Sequence, residues 1–117
     1  MQALSKETFE VALQKCQETS GYKVLIVTEY LEQRNFILDF WVRDYLNNIK
    51  SISKNESRIV FLNNSIVKLV GVSSNHVHAQ RADLVLCPEW MMHDREIRPV
   101  LQAIEFNNAS FRLYEAE

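Results

Sequence analysis

The 117-residue sequence contains only two glycines, two prolines and two cysteines. So few glycines and prolines exclude collagen-like and low-complexity chains and indicate few tight turns. The cysteines, Cys16 and Cys87, are too few for a small disulfide-stapled secreted protein and favour a reducing compartment. The longest apolar run, residues 24–27, is too short to cross a bilayer, and the first residues do not have the pattern of a signal peptide. We therefore expect a soluble, cytoplasmic protein.

An excess of basic charge is also missing. The 13 Lys and Arg residues face 15 Asp and Glu residues, which gives a formal net charge of −2. Residues 1–58 hold 8 basic and 8 acidic residues, and residues 59–117 hold 5 and 7, so neither half is a basic lobe. The composition therefore predicts no basic patch for nucleic acid. With 47% apolar residues, the chain can form a core, and its length predicts a single domain spanning residues 1–117.

Helical and strand-like patterns alternate along the chain. This order predicts an α/β fold, a single layered domain with a mostly parallel sheet, one β-hairpin and three helices. Phe9, Ala12, Leu13 and Cys16 have helical spacing, which predicts a helix over residues 6–19 with Ser5 as its N-cap. Aromatic and aliphatic residues predict a long amphipathic helix over residues 30–49, with its apolar stripe in the core. The other predicted elements are a central strand over residues 22–28, a hairpin over 58–70 with asparagines at its turn, a strand over 82–87, a helix over 95–106 capped by Asp94, and a strand over 110–114.

The segments around this hairpin resemble a known family. The hairpin contains Phe61-Leu62-Asn63-Asn64-Ser65-Ile66-Val67, and after a loop Gln80-Arg81-Ala82-Asp83 leads into an apolar strand. This order resembles the ATPase domain of phage terminase large subunits, the motors that package DNA, over residues 5–105. The resemblance implies a P-loop NTPase-like α/β fold and a viral protein that acts in the cytoplasm of the host cell.

The chain departs from this family where ATP would be hydrolysed. Ser5-Lys6-Glu7-Thr8 stands where the glycine-rich phosphate loop would end, and it contains no glycine. Glu7 takes the place of the hydroxyl that holds Mg²⁺, and Pro88 takes the place of the Mg²⁺-binding aspartate. Only Glu89, at the position of the catalytic glutamate, remains. The resemblance therefore implies a degenerate ATPase core without nucleotide cofactor, and Glu89 is a remnant of its catalytic machinery.

Other groupings of reactive side chains are weaker. His76, His78, Cys87 and His93 include zinc-type donors, but their spacing matches no recognised zinc motif, so we predict no metal site. A nucleophilic pair of Cys87 and His93 has no third group to orient it.

The most promising binding residues follow the strand that ends at Pro88. Trp90, Met91 and Met92 are large and adaptable, and the carboxyl ends of strands are where α/β folds place binding surfaces. We predict that they form a contact patch, with packing under the following helix as the alternative. Arg81 and Lys6 are further candidate binding residues.

Two classes of function remain open. The first is a non-enzymatic module that binds a protein partner, a second copy of itself or a nucleic acid. The alternative is a nucleotide-binding or hydrolytic subunit whose site is completed by another chain, with Glu89, Arg81 or Lys6 contributed to it. In either case we expect Asp83 to be structural and to hold the loop over residues 73–81 in place.

Overall fold

The computed structural model of the chain describes residues 5–71, 81–102, 105–106 and 112–114. Its helices are α1 (Lys6–Glu18), α2 (Leu31–Phe36), α3 (Glu89–His93) and α4 (Ile97–Gln102), with a π turn (Ile37–Trp41) and a 3-10 turn (Arg43–Asn48) after α2. Its strands are β1 (Lys23–Thr28), β2 (Ile49–Ser53), β3 (Arg58–Phe61), β4 (Ile66–Gly71), β5 (Arg81–Ala82), β6 (Leu84–Pro88), β7 (Glu105–Phe106) and β8 (Arg112–Tyr114). No helix in these ranges is long and apolar enough to cross a membrane.

The fold class is α/β, as the sequence predicts. Six strands form one sheet in the order β2-β3-β4-β1-β6-β8, and β5 pairs with β7 in a small second sheet. The predicted arrangement of the sheet is wrong, however. Three pairings are parallel and two are antiparallel, because β2, β3 and β4 form a meander with two hairpins. β2 is not predicted from the sequence because it lies at the sheet edge with much of its surface exposed and therefore has no run of buried apolar residues.

The segment predicted as one long helix over residues 30–49 is the largest departure. It contains α2, the π turn and the 3-10 turn, and β2 begins at Ile49. Hydrogen bonds from i to i+5 place more residues in a π turn than in an α-helical turn, so the face turned to the core shifts by about one position. The segment buries Ile37, Leu38 and Val42, whereas Phe36 and Phe40 point outward.

Alternation along the strands gives the sheet two different faces. On the inner face, Val24 and Ile26 of β1 pack with α1, the π turn and a large apolar cluster. On the outer face, Leu25 and Val27 pack with a smaller cluster that reaches Met91 and Leu101 of the last two helices. β1 lies between β4 and β6 and is parallel to both, so it is a central strand covered on both faces, as predicted.

The part of the chain after β4 contains a predicted loop, a predicted helix and a predicted last strand. Asp94 caps α4 as expected, since its Oδ1 accepts from the backbone N–H groups of Glu96 and Ile97 at 2.8 and 3.1 Å. α4 begins at Ile97 rather than residue 95, which places Pro99 in its first turn, where proline is tolerated. Part of the predicted last strand is present as β8. The predicted loop over residues 73–80 lies outside the described residues.

Asp83 bonds to the backbone of β1, whereas the loop over residues 73–81 that it is predicted to hold lies, apart from Arg81, outside the described residues. Its Oδ2 accepts from the backbone N–H of Lys23 at 2.9 Å, and its own N–H donates to the Lys23 carbonyl at 2.8 Å. Asp83 therefore fixes the start of β6 against the start of β1. This pair of bonds joins residues 60 positions apart in the sequence.

The turn between β3 and β4 caps the carboxyl end of α1. The Ser65 hydroxyl is buried and lies 2.8 Å from the Cys16 carbonyl oxygen and 2.7 Å from that of Thr19. It also accepts from the backbone N–H of Tyr22 at 3.2 Å, and the Asn63 amide donates to Cys16 at 2.7 Å. Asn64 has φ +69°, the left-handed conformation that the sequence predicts for an asparagine in this turn.

Replacing Ser65 by alanine should destabilise the fold. The substitution leaves buried carbonyl and N–H groups at the end of α1 without their partner, which costs about 1–3 kcal/mol of the free energy of unfolding. Ser51→Ala, on exposed β2, is the matched control and should change it by less than about 0.5 kcal/mol. Urea denaturation measures both. Equal stability of the two variants would show that the cap is not important.

Candidate partner-binding surface

A cavity of about 330 Å³ opens at the carboxyl edge of β1 and β6, beside α2. Most of its walls are apolar, and its lining residues are Val27, Thr28, Glu32, Gln33, Phe36, Ile37, Trp41 and Pro88. This is the edge at which α/β sheets commonly bind ligands. The size and lining are those of a site that takes a small apolar group and orients it with a few polar atoms.

The start of α2 is held in place by a single side chain. The Gln33 Oε1 atom accepts from the backbone N–H groups of Glu29 and Tyr30, at 3.0 and 3.3 Å. On the strand side, the buried Thr28 hydroxyl lies 3.4 Å from the Val70 carbonyl oxygen, to which it donates. Both ends of the loop between β1 and α2 are thereby anchored, and the cavity wall is fixed.

The π turn brings aromatic rings to the cavity rim. Trp41 packs on the core ring of Phe9, with their centroids 5.4 Å apart, and meets the Phe36 ring edge-on at 6.3 Å. Phe36 in turn packs on Phe40 at 4.8 Å, and the Arg43 guanidinium lies 4.7 Å from the Phe40 ring centroid. Separations of this kind are favourable for aromatic and cation–π pairs. A continuous row of packed side chains therefore runs from the core to the surface.

The outer members of this row are exposed. Phe36 and Phe40 leave 51% and 46% of their surface accessible, and Tyr30 and Leu31 at the start of α2 are similarly exposed. We call these residues with Trp41 and Arg43 the aromatic surface. The prediction that the apolar stripe of this segment lies in the core is wrong for Phe36 and Phe40. The signal was the excess of large apolar residues there, but the π turn that selects which of them face outward has no sequence signature.

The predicted patch at residues 90–92 is packed instead. Met91 is fully buried, and Trp90 and Met92 are half-buried against the same outer cluster as Ile97. The prediction that Met91 is a contact residue is therefore wrong. The reason is that α3 starts directly at Glu89 and turns these side chains under α4, which is the alternative left open by the sequence.

The residues that resemble a phosphate loop form an ordinary helix start. The Ser5 hydroxyl accepts from the Thr8 N–H at 3.2 Å and caps α1, and Glu7 lies in the first turn, where negative charge stabilises a helix. Lys6 is exposed and has no hydrogen bond or ion pair to the described part of the chain.

Glu89 and Arg81 lie on separate elements. Glu89 begins α3, and its Oε1 is 3.7 Å from the Nε2 of exposed His93. Pro88 is an apolar wall of the cavity at the strand end where the resemblance implies a metal-binding aspartate. Arg81 is exposed on β5 and lines a different cavity with Lys23 and Lys68.

The two thiols lie on opposite faces of the sheet, Cys16 in the inner cluster and Cys87 in the outer one. Burial raises the pKa of each thiol to about 12, and the charge of Asp83 adds to this effect at Cys16. The reactive thiolate is therefore scarce at neutral pH, and Cys87 does not form a nucleophilic pair with exposed His93.

No group of three or more His, Cys, Asp or Glu side chains in the described ranges is placed to hold a metal ion. His76 and His78 lie outside those ranges.

Comparison of the chain with protein families, curated proteins and solved structures gives no match.

The packing of α3 leads to a test with two variants. Trp90→Ala combined with Met92→Ala should lower the free energy of unfolding by about 3–5 kcal/mol, because both side chains cover the outer cluster. Val11→Ala, at an exposed position of α1, should change it by less than about 0.5 kcal/mol. Thermal melts followed by circular dichroism give the stabilities, and analytical ultracentrifugation gives the mass. An unchanged melt with a lower mass would instead make residues 90 and 92 an interface.

Proposed function

We propose that the chain is a non-catalytic binding module whose aromatic surface takes an apolar side chain of a protein partner into the adjoining cavity. The observation that carries this proposal is the half-exposure of Phe36 and Phe40 on a row of rings rooted in the core. Clustered exposed apolar side chains mark interaction sites in soluble proteins.

The composition of the surface supports a protein as the partner. Trp, Tyr and Arg are enriched among the residues that dominate binding energy. Trp41 and Arg43 pack on the two phenylalanines here, and exposed Tyr30 precedes the same helix. Trp41 holds Phe36 through an edge-on ring contact, and Phe36 holds Phe40. Rings fixed in advance lose little side-chain freedom on binding, which favours affinity.

We retain the terminase-like origin as part of this proposal. It is supported by the positions of β4 and β6 on either side of β1, since these two strands belong to the hairpin and to the segment after Asp83 on which the resemblance rests. Under this proposal the chain is a degenerate NTPase-like core of viral origin that binds its partner in the host cytoplasm.

The alternative, a nucleotide-binding subunit completed by another chain, is less well supported. The Ser5 hydroxyl already accepts from the Thr8 N–H, one of the groups at the start of α1 to which a phosphate would bind. Glu7 adds negative charge there, which repels phosphate. Pro88 offers no side-chain oxygen for Mg²⁺ at the end of β6.

We expect MgATP to leave the melting temperature unchanged and to undergo no hydrolysis. A nucleotide present at about 100 times its Kd would stabilise the fold by about 2.7 kcal/mol, an effect that a thermal shift assay detects easily. Glu89→Gln is the control for hydrolysis. Mg²⁺-dependent turnover that disappears in this variant would contradict the proposal and favour the alternative.

The aromatic surface is tested with the double variant Phe36→Ala and Phe40→Ala. Leu62→Ala is the matched control, because Leu62 is equally apolar and exposed but lies in the turn between β3 and β4. We expect the double variant to fold, because both rings are half exposed, and to lose about 2 kcal/mol or more of partner binding. Sedimentation velocity tests a second copy of the chain as the partner, and a photo-cross-linking residue at position 40 or 62 tests other proteins.

Two results would support the proposal. Either the chain self-associates and the double variant does not, or a protein cross-links from position 40, not from position 62, and no longer does so after Phe36→Ala. The proposal is ruled out if the chain is a monomer at all concentrations and positions 40 and 62 give the same cross-links.

A further inference from the structure

Part of the outer sheet face carries basic rather than apolar side chains. Two adjoining cavities of about 350 and 380 Å³ lie there, and Arg58 of β3 and Lys68 of β4 line both of them. Lys23 and Arg81 complete the basic lining of the first cavity, and Arg34 that of the second. We call this the basic groove. Its residues are scattered between positions 23 and 81 of a chain with net charge −2, which is why the composition predicted no basic patch.

Positive charge in the basic groove exceeds negative charge. Of the described residues that line the two cavities, five are basic and one, Glu56, is acidic. Its carboxylate lies 2.7 Å from one guanidinium nitrogen of Arg58, and because both side chains are exposed to solvent this ion pair offsets only part of the charge of Arg58. The Asp83 carboxylate, which accepts from the backbone N–H of Lys23, adds one more negative charge near the first cavity, and the basic side chains still outnumber the acidic ones.

The central pair of the groove has an electrostatic cost. Arg58 and Lys68 are directly opposite each other in the antiparallel ladder, and like charges in this position destabilise a sheet. Lys68 is half-buried, and its ammonium group has no ion pair or hydrogen bond to the described residues. Burying part of a cation without a counterion is unfavourable. The fold alone gives no reason for this arrangement, whereas a bound anion would remove the repulsion.

Arg34 provides a second, independent sign of a missing acceptor. Its Nε atom is buried and has no hydrogen-bond partner within the described ranges. Buried polar atoms are nearly always bonded, so an unsatisfied guanidinium donor beside a cavity indicates a ligand oxygen. Arginine suits phosphate oxygens because its planar donors match their geometry.

We infer that the basic groove binds the phosphodiester backbone of a single-stranded nucleic acid. One compact anion would fill one cavity, but the cavities adjoin at Arg58 and Lys68, and each has further cationic side chains. A flexible single strand places successive phosphates in both. None of the described residues that line the two cavities is aromatic, so these residues provide no stacking for bases, and phosphate contacts carry no sequence information. The groove therefore binds without marked sequence preference.

Fluorescence anisotropy with labelled oligothymidylate and oligoadenylate at low salt tests this inference. We expect both to bind and the affinity to fall as salt is raised. Lys68→Gln should weaken binding about tenfold and reduce the slope of log K against log salt by about 0.7, the loss of one phosphate contact. The control is Lys15→Gln, which removes the same charge from α1 on the inner face and should change neither quantity.

Unfolding is separated from loss of contact by the melting temperature. Lys68→Gln removes the repulsion with Arg58, so it should melt at the wild-type temperature or higher, and Lys68→Arg should restore binding. The Phe36 and Phe40 double variant should bind the oligonucleotides normally, which keeps this result distinct from that of the aromatic surface.

Three outcomes would overturn the inference. The first is no oligonucleotide binding at low salt, and the second is binding that is insensitive to Lys68→Gln. The third is equal competition by inorganic phosphate or by polyglutamate, which would identify a small-anion site or an acidic-protein site instead.

Discussion

The Ser65 hydroxyl joins three parts of the fold that are far apart in sequence. It contacts the last carbonyl groups of α1 and the backbone N–H that precedes β1, and it lies in the turn between β3 and β4. Next to it, the Ile66 N–H donates to the Tyr22 carbonyl at 2.8 Å, which sets β4 beside β1 in a fixed register. A shift by one residue would exchange the side chains of the two sheet faces. The positions of the core and of the basic groove therefore depend on this buried cap.

That register gives each side of the sheet its own chemistry. Val67 and Leu69 of β4 enter the inner core, while Lys68 between them faces the outer side. The outer helices cover the apolar part of their face, near Val27 and Cys87. Cations that are evenly spread along the sequence thus gather in one groove, although the chain as a whole is slightly acidic. The apolar cavity at the carboxyl edge arises separately, from the way in which α2 leaves β1.

Local signals in the sequence predict the elements that local forces determine. The Ser5 and Asp94 caps, the central strand β1 and the left-handed Asn64 follow from side-chain chemistry within a few residues. The candidate sites were not predictable in this way. Phe36 and Phe40 face outward because of a π turn, and Met91 is buried because a short helix starts one residue after Pro88. The basic groove can be predicted only when the strand order is known, since β3, β4 and β1 contribute residues to it from distant positions in the sequence.

The edge strand β2 has a consequence for association. Its register against β3 shifts between Ile49 and Ser51, and the residue between them, Lys50, is exposed. An irregular edge with a lysine is a poor template for another strand, because an added strand could not form a regular hydrogen-bond ladder and would pack against the charged lysine. Growth of the sheet by addition of further chains is thereby discouraged at this edge. Because the chain also exposes large apolar side chains at Phe36 and Phe40, an edge that resists strand addition lowers its tendency to form amyloid-like assemblies.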